Sequence, residues 1–126
     1  MELHGKIQQQ LVIAIIPARY GSIRLPGKML LDIAGKPLIL HTLAQTQKAR
    51  NVERVIVATD DRRILDVVKQ SGGEAVMTSH NHHSGSDRLA EVAETLPAGS
   101  IIVNVQGDEP TISPLTIEAA VDALVN

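Results

Sequence analysis

The chain has 126 residues, a formal net charge of -2, no cysteine and one aromatic residue, Tyr20. This length supports one domain with a modest core, and the absence of cysteine excludes disulfides and thiolate zinc sites. A pI near 6.2 and the near-absence of aromatic side chains argue against nucleic acid as a partner, because such binding needs basic surface or stacking platforms. The longest apolar run near the start is too short for a membrane span or a signal peptide. We therefore expect a cytoplasmic protein with no membrane partner.

The first predicted strand-and-helix unit lies on either side of a long loop. Residues 11–16 are apolar throughout, which is typical of a strand that is buried on both faces. After the loop, Lys36-Pro37 is predicted to open a helix that runs to about Arg50, because proline suits the first helical position. The apolar stripe of that helix would be Leu40, Leu43 and Ala44.

The second unit is a buried strand at residues 54–58 and a helix that ends near Ser71. Asp60 or Asp61 can cap this helix, and Gly72-Gly73 ends it. The spacing of its apolar residues predicts that three of them face inward: Ile64, Leu65 and Val68.

Two further units complete the chain. The third unit begins with a short strand at residues 74–77. A helix follows, which starts at the capping box at residues 84–87 and runs to Leu96. A strand at residues 100–105 precedes a last helix that begins at Ser113-Pro114. Its inward residues are predicted to be Ile117, Ala120, Val121 and Leu124.

Four alternations of strand and helix predict an α/β fold with a parallel sheet, helices on both faces and right-handed crossovers. Residues 1–10 form a polar N-terminal extension in this interpretation, and residues 11–126 form one α/β domain. The last helix reaches the chain end without a clear stop signal, and a four-stranded sheet has an open edge. We therefore expect a fragment of a longer protein, or a partner over that edge.

The loop after the first strand has the composition of a phosphate-binding loop. Arg19, Arg24 and Lys28 can supply charge-assisted donors, and Gly21 and Gly27 let the backbone approach an anion. The alternative is a solvated basic loop. The spacing fits neither a Walker motif nor a dinucleotide-binding motif.

Acidic and histidine-containing loops follow the other strands. Asp108 and Glu109 come just after the fourth strand, where a carboxylate can hold Mg²⁺ beside phosphate oxygens, or where both can be a solvated turn. Asp60-Asp61 is interpreted as a helix cap plus a solvated acid rather than as a second metal site. His80, His82 and His83 are interpreted as a nucleotide-facing or plain surface loop rather than a zinc site, because no fourth ligand of suitable spacing follows. His41, within a helix, is interpreted as structural.

The motifs together resemble those of the 3-deoxy-manno-octulosonate cytidylyltransferase family, also called CMP-Kdo synthetases. The stretches that carry the resemblance are IIPARYGSIRLPGKML, GKPLILHTL, VIVATDD, HHSGSDRLAEV and IVNVQGDEP, in this order. They cover the chain from Leu11 onward, as the N-terminal half of the family domain. The resemblance implies an α/β/α sandwich of the nucleotide-diphospho-sugar transferase type and a homodimer of the full-length protein.

The resemblance also implies the reaction and the residues that carry it. CTP and 3-deoxy-D-manno-octulosonate (Kdo) would give CMP-Kdo and pyrophosphate for lipopolysaccharide biosynthesis. The catalytic residues would be Arg19, Lys28 and Asp108, with Mg²⁺ on Asp108. The other nucleotide-binding residues would be Ser22, Arg24, Ser84, Gly85, Ser86, Arg88 and Gln106. The alternatives are another CTP-dependent sugar-acid or sugar-alcohol cytidylyltransferase, or an inactive truncated module that binds nucleotide without turnover.

Overall fold

A four-stranded parallel sheet forms the centre of the fold in the computed structural model, which describes residues 10–21, 25–81 and 84–125. In chain order, β1 (Val12–Ala18) is followed by a 3-10 turn (Lys28–Leu30), by the two-residue strands β2 (Asp32–Ile33) and β3 (Lys36–Pro37), and by α1 (Leu38–Gln47). The remaining elements are β4 (Arg54–Thr59), α2 (Arg62–Gln70), β5 (Glu74–Met77), α3 (Gly85–Ala93), β6 (Ile101–Asn104) and α4 (Pro114–Val125). No helix within these described ranges is both long and apolar enough to cross a membrane.

The sheet has helices on both faces, as the alternating pattern predicts. Side chains alternate between the two faces along a strand. In β1, Ala14 and Ile16 therefore join a core with residues of α1, α2 and α4, whereas Ile13 and Ile15 join a smaller core with Val92 of α3. Every residue of β1 is buried, which explains why this strand is apolar without alternation.

The order of the strands in the sheet indicates where a ligand would bind. The sheet runs β5-β4-β1-β6, and all of its neighbours are parallel. The chain moves outward from β1 to β5 by way of α1 and α2, then returns by way of α3 to the far side of β1. The order therefore reverses between β1 and β6, and this reversal is where open α/β sheets bind ligands at their carboxyl edge.

Several local predictions are confirmed. Asp61 caps α2, because its carboxylate accepts a hydrogen bond from the backbone N–H of Arg63 at 2.8 Å. The Ser84 hydroxyl accepts from the N–H of Asp87 at 3.2 Å at the start of α3. Three residues of α2 face inward as predicted: Ile64, Leu65 and Val68.

The predicted start of the first helix is wrong. Lys36 and Pro37 pair with Asp32 and Ile33 in an antiparallel hairpin, and α1 begins one residue later, at Leu38. Pro37 is the capping residue, with extended backbone angles. At the turn of this hairpin, Ala34 and Gly35 both have positive φ, at 51° and 92°, and Gly35 adopts this conformation at little cost.

Other predicted details are wrong in part. In α1, Leu43 of the predicted stripe is buried, but Leu40 and Ala44 are only partly buried, and the buried face also includes Thr42 and Thr46. Ala120 and Leu124 are exposed, because α4 contacts the core through Ile117 and Val121 alone. Several elements also begin or end away from the predicted positions: β1 covers residues 12–18 instead of 11–16, β6 covers residues 101–104 instead of 100–105, α1 ends at Gln47 and α3 ends at Ala93.

A cross-strand ion pair on β4 and β5 predicts acid sensitivity. Arg54 Nε donates to Glu74 Oε1 at 2.9 Å, and this side-chain hydrogen bond lowers the pKa of Glu74 below its ordinary value of 4.5. A lowered folded-state pKa adds stability that is fully present above about pH 4.5 and is lost as the pH falls through the folded pKa. Glu74→Gln should therefore lower the free energy of unfolding at pH 7 by at most about 1 kcal/mol, since the pair is part-exposed.

Urea unfolding at pH 7 and at pH 3 tests this, with Glu94→Gln, an exposed carboxylate after α3, as the control. The difference between the wild-type chain and Glu74→Gln should shrink at pH 3, because Glu74 loses its negative charge as the pH falls through its lowered folded-state pKa. An unchanged difference at pH 3 would show that Glu74 stabilises the fold by packing and not by charge.

Candidate functional site

A cleft of about 230 Å³ lies at the carboxyl edge of the sheet, where the strand order reverses. The segments that line it are the end of β1 and the residue after it, the 3-10 turn, the start of α3 and the loop after β6. Its lining residues are Pro17, Arg19, Met29, Ser84, Gly85, Arg88, Gln106 and Asp108.

Most of the residues that the sequence motifs predict to be catalytic or nucleotide-binding lie in the cleft. Six of them line it: Arg19, Ser84, Gly85, Arg88, Gln106 and Asp108. Lys28 lies beside the cleft in contact with Asp108, whereas Ser86 is exposed on α3 and is not among the lining residues. Ser22 and Arg24 lie outside the described residues, as do His82 and His83.

Tyr20 and Gly27 contact each other on either side of residues 22–24 in the loop after β1. The backbone N–H of Gly27 donates to the carbonyl of Tyr20 at 2.8 Å. Gly27 has a φ of +76°, and a Cβ atom there would lie 3.1 Å from the hydroxyl oxygen of Tyr20. Glycine is therefore strongly favoured at this position, directly before the 3-10 turn that starts at Lys28.

Lys28 and Asp108 connect the basic and the acidic loops. Lys28 Nζ lies 3.1 Å from Asp108 Oδ2, and the two side chains are 39% and 42% exposed. An ion pair this exposed contributes about 0–1 kcal/mol. A ligand that brings both an anion for Lys28 and a cation for Asp108 can therefore separate them at little cost.

The acidic loop is positioned by α1. The buried hydroxyl of Thr42 donates to the carbonyl of Gly107 at 2.8 Å, and Gln45 Nε2 donates to the carbonyl of Ile112 at 2.9 Å. A Cβ atom on Gly107 would lie 2.8 Å from the carbonyl oxygen of Pro17. The sequence motifs did not identify Thr42, and its signal is a polar residue within the apolar face of a helix.

Arg88 lines the cleft, and its guanidinium forms hydrogen bonds and an ion pair with other residues of the chain. Its guanidinium donates to the hydroxyl of Thr78 and, at 3.1 Å, to the carbonyl of Ser79. Its Nη2 lies 3.7 Å from Asp60 Oδ2, and its side chain is 3% exposed. These contacts fix α3 against the ends of β4 and β5.

Asp60 and Asp61 have different roles. Asp61 caps α2, and its side-chain hydrogen bond with Arg63 lowers its pKa. Asp60 Oδ1 accepts from the backbone N–H of Tyr20 at 3.0 Å. Within residues 10–21, 25–81 and 84–125, no group of three or more histidines and carboxylates is arranged to hold a metal ion.

The described ranges contain two histidines, His41 and His80, and the side chain of His41 forms a hydrogen bond. Its Nε2 lies 2.5 Å from the carbonyl oxygen of Ile33, so it links α1 to the hairpin. This contact agrees with the structural role predicted for it. His80 is exposed on the loop before α3.

Comparison with known proteins identifies relatives of this chain. The family model described as "Cytidylyltransferase" matches residues 13–126. Proteins named 3-deoxy-manno-octulosonate cytidylyltransferase are 63% identical over 88% of the chain in Trichlorobacter lovleyi and 55% identical over 90% in Geobacter sulfurreducens. The chain spans 44% and 45% of the length of these two relatives.

A solved structure with a similar fold is CMP:2-keto-3-deoxy-manno-octonic acid synthetase in complex with CTP. It has a TM-score of 0.88 and 46% identity, and the match covers 92% of this chain and 48% of that one. The fold predicted from the sequence is thereby confirmed as that of a nucleotidyltransferase, present here over part of its relatives' length.

Proposed function

Because the chain belongs to the cytidylyltransferase family, we propose that it is the nucleotide-binding part of an enzyme that forms CMP-Kdo and pyrophosphate from CTP and Kdo. Residues 11–126 would be the nucleotide-binding domain, and the product would serve lipopolysaccharide biosynthesis. One observation supports this most strongly: Lys28 and Asp108 form an ion pair at the rim of the cleft, at the point where the strand order reverses. That point is the usual ligand position in such sheets.

The triphosphate of CTP would bind to the basic loop. Arg19 lines the cleft and Lys28 lies at its rim, and their charges would offset part of the phosphate charge through charge-assisted hydrogen bonds. Ser22 and Arg24 would add donors to the same phosphates. Ser84 and Gly85, where α3 begins, would help to enclose the nucleotide, together with Ser86 and Arg88. Gln106 would lie near the sugar or the ribose.

The donors present fit a magnesium ion. Mg²⁺ in nucleotide enzymes binds one or two carboxylates and completes its shell with phosphate oxygens and water. Asp108 offers one part-exposed carboxylate in the cleft. When bound, the ion would neutralise charge on the phosphate oxygens and on the departing pyrophosphate.

The reaction asks the protein mainly for positioning and charge neutralisation. The anomeric hydroxyl of the sugar would attack the α-phosphorus in line, and the bond from that phosphorus to the bridging oxygen of pyrophosphate would break. Lys28 would stabilise the leaving pyrophosphate, and Arg19 would hold the triphosphate in place. Kdo is itself an acid, so these cations would also reduce its repulsion from CTP.

Titration calorimetry with CTP and Mg²⁺, followed by an assay for pyrophosphate release with Kdo, tests the proposal. We expect CTP to bind more tightly than ATP or GTP, and pyrophosphate to appear with Kdo but not with sialic acid or methylerythritol phosphate. Turnover with one of those two would indicate a different cytidylyltransferase. CTP binding without pyrophosphate would indicate a nucleotide-binding module, and absence of CTP binding would overturn the proposal. The homodimer stays a prediction, which light scattering tests.

A further inference from the structure

Asp60 is a carboxylate that the proposed chemistry does not use, and it lies between two elements that enclose the cleft. Its Oδ1 accepts a hydrogen bond from the backbone N–H of Tyr20 at 3.0 Å. Its Oδ2 faces Nη2 of Arg88 at 3.7 Å. Tyr20 belongs to the basic loop after β1 and Arg88 to α3. One side chain after β4 therefore contacts both.

The burial of Asp60 and Arg88 favours a fixed position for both side chains. The Asp60 side chain is 15% exposed and that of Arg88 is 3% exposed. A guanidinium this buried requires a nearby negative charge, because an unpaired charge in low dielectric is costly. The hydrogen bonds that Arg88 donates to Thr78 and Ser79 go to neutral oxygens. Asp60 thus supplies the negative charge that compensates Arg88, while its Oδ1 holds the backbone of the basic loop at Tyr20.

The Tyr20 end of this connection is also braced. The guanidinium carbon of Arg63 lies 3.8 Å from the centre of the Tyr20 ring, and Asp61 holds Arg63 through hydrogen bonds at 3.0 and 2.8 Å. The carbonyl of Tyr20 closes the turn to Gly27, directly before Lys28. Tyr20 is therefore fixed by its ring, its carbonyl and its N–H, and Asp60 holds the last of these.

We propose that Asp60 is a positioning residue that sets the spacing between the basic loop and α3, so that both can enclose a triphosphate. The inference rests on the proposed function, because it requires a phosphate ligand in the cleft. Asp60 does not itself contact the ligand, since one of its oxygens faces the loop and the other faces Arg88.

Calorimetry with inorganic tripolyphosphate and with CTP, each with Mg²⁺, tests the inference on this chain. Asp60→Ala removes both contacts and should weaken binding of each probe by about tenfold, the effect of losing one charged hydrogen bond. Asp60→Asn keeps an oxygen for the N–H of Tyr20 and should recover part of that loss. Asp66→Ala is the matched control: the Asp66 carboxylate is exposed on α2 and pairs with Arg62, so this variant should bind both probes as the wild-type chain does.

The outcomes separate this inference from the proposed function. If the wild-type chain binds neither probe, both are overturned. If it binds both and folded Asp60→Ala binds within twofold of it, only the positioning role is overturned. Equal losses in Asp60→Ala and Asp60→Asn also overturn it, because a merely structural effect gives no rescue. Where Asp60→Ala does not fold, Asp60→Glu replaces it, since one extra methylene displaces the carboxylate and should weaken both probes.

Discussion

Lys28→Ala and Asp108→Asn, made in the enzyme of which this chain is proposed to be the nucleotide-binding part, are each expected to lower the rate of pyrophosphate release from CTP by about a hundredfold or more, the usual cost of removing one preorganised electrostatic group. Lys28 would stabilise the leaving pyrophosphate, and Asp108 would hold a magnesium ion, which would neutralise phosphate charge. Neither change should unfold the chain, because the two side chains are part-exposed and contact each other at the rim of the cleft.

The two variants should differ in how Mg²⁺ affects their binding of tripolyphosphate. Lys28→Ala should weaken tripolyphosphate binding with or without Mg²⁺, whereas Asp108→Asn should remove most of the benefit that Mg²⁺ gives. Lys69→Ala and Asp66→Asn are the charge-matched controls: both residues are exposed on α2, and Lys69 lies in its last turn, away from the carboxyl edge. Turnover of Lys28→Ala or Asp108→Asn near the wild-type rate, in a folded protein, would remove that residue from the mechanism.

Gly107→Ala should destabilise the fold and disturb the acidic loop at the same time. The added Cβ atom would lie 2.8 Å from the carbonyl oxygen of Pro17 and 3.1 Å from Cε of Met29. The methionine can move, but the carbonyl belongs to β1, whose position the sheet determines. Overpacking of this kind costs about 1–3 kcal/mol, and relief by moving the loop would shift Asp108 and break the hydrogen bond from Thr42.

Urea unfolding of Gly107→Ala, with CTP titration of the folded variant, measures both effects. Gly21→Ala is the matched control for stability, because a Cβ atom at Gly21 meets nothing within 4 Å. Wild-type stability together with wild-type CTP affinity in Gly107→Ala would show that the acidic loop does not approach Pro17 as closely as the structure indicates.

Local chemistry in the sequence determined the type and order of the main elements. A strand such as β1, apolar at every position, is buried on both faces, and the Asp61 and Ser84 caps satisfy backbone N–H groups within three residues of themselves. These signals depend only on residues that are close together in the sequence, so they can be recognised without knowledge of the tertiary structure. The position of the cleft follows as well, since loops after parallel strands meet at one edge.

The tertiary structure decided which groups meet. Thr42 contacts Gly107, 65 positions away, and Tyr20 contacts Asp60, 40 positions away; no local pattern encodes those pairs. The same holds for the exposed face of α4, where Ala120 and Leu124 fit a helical stripe but contact no core. Periodicity shows which residues share a helix face, and only packing decides how far that face is covered. The charge pair of Lys28 and Asp108 likewise required the sheet to bring two distant loops together.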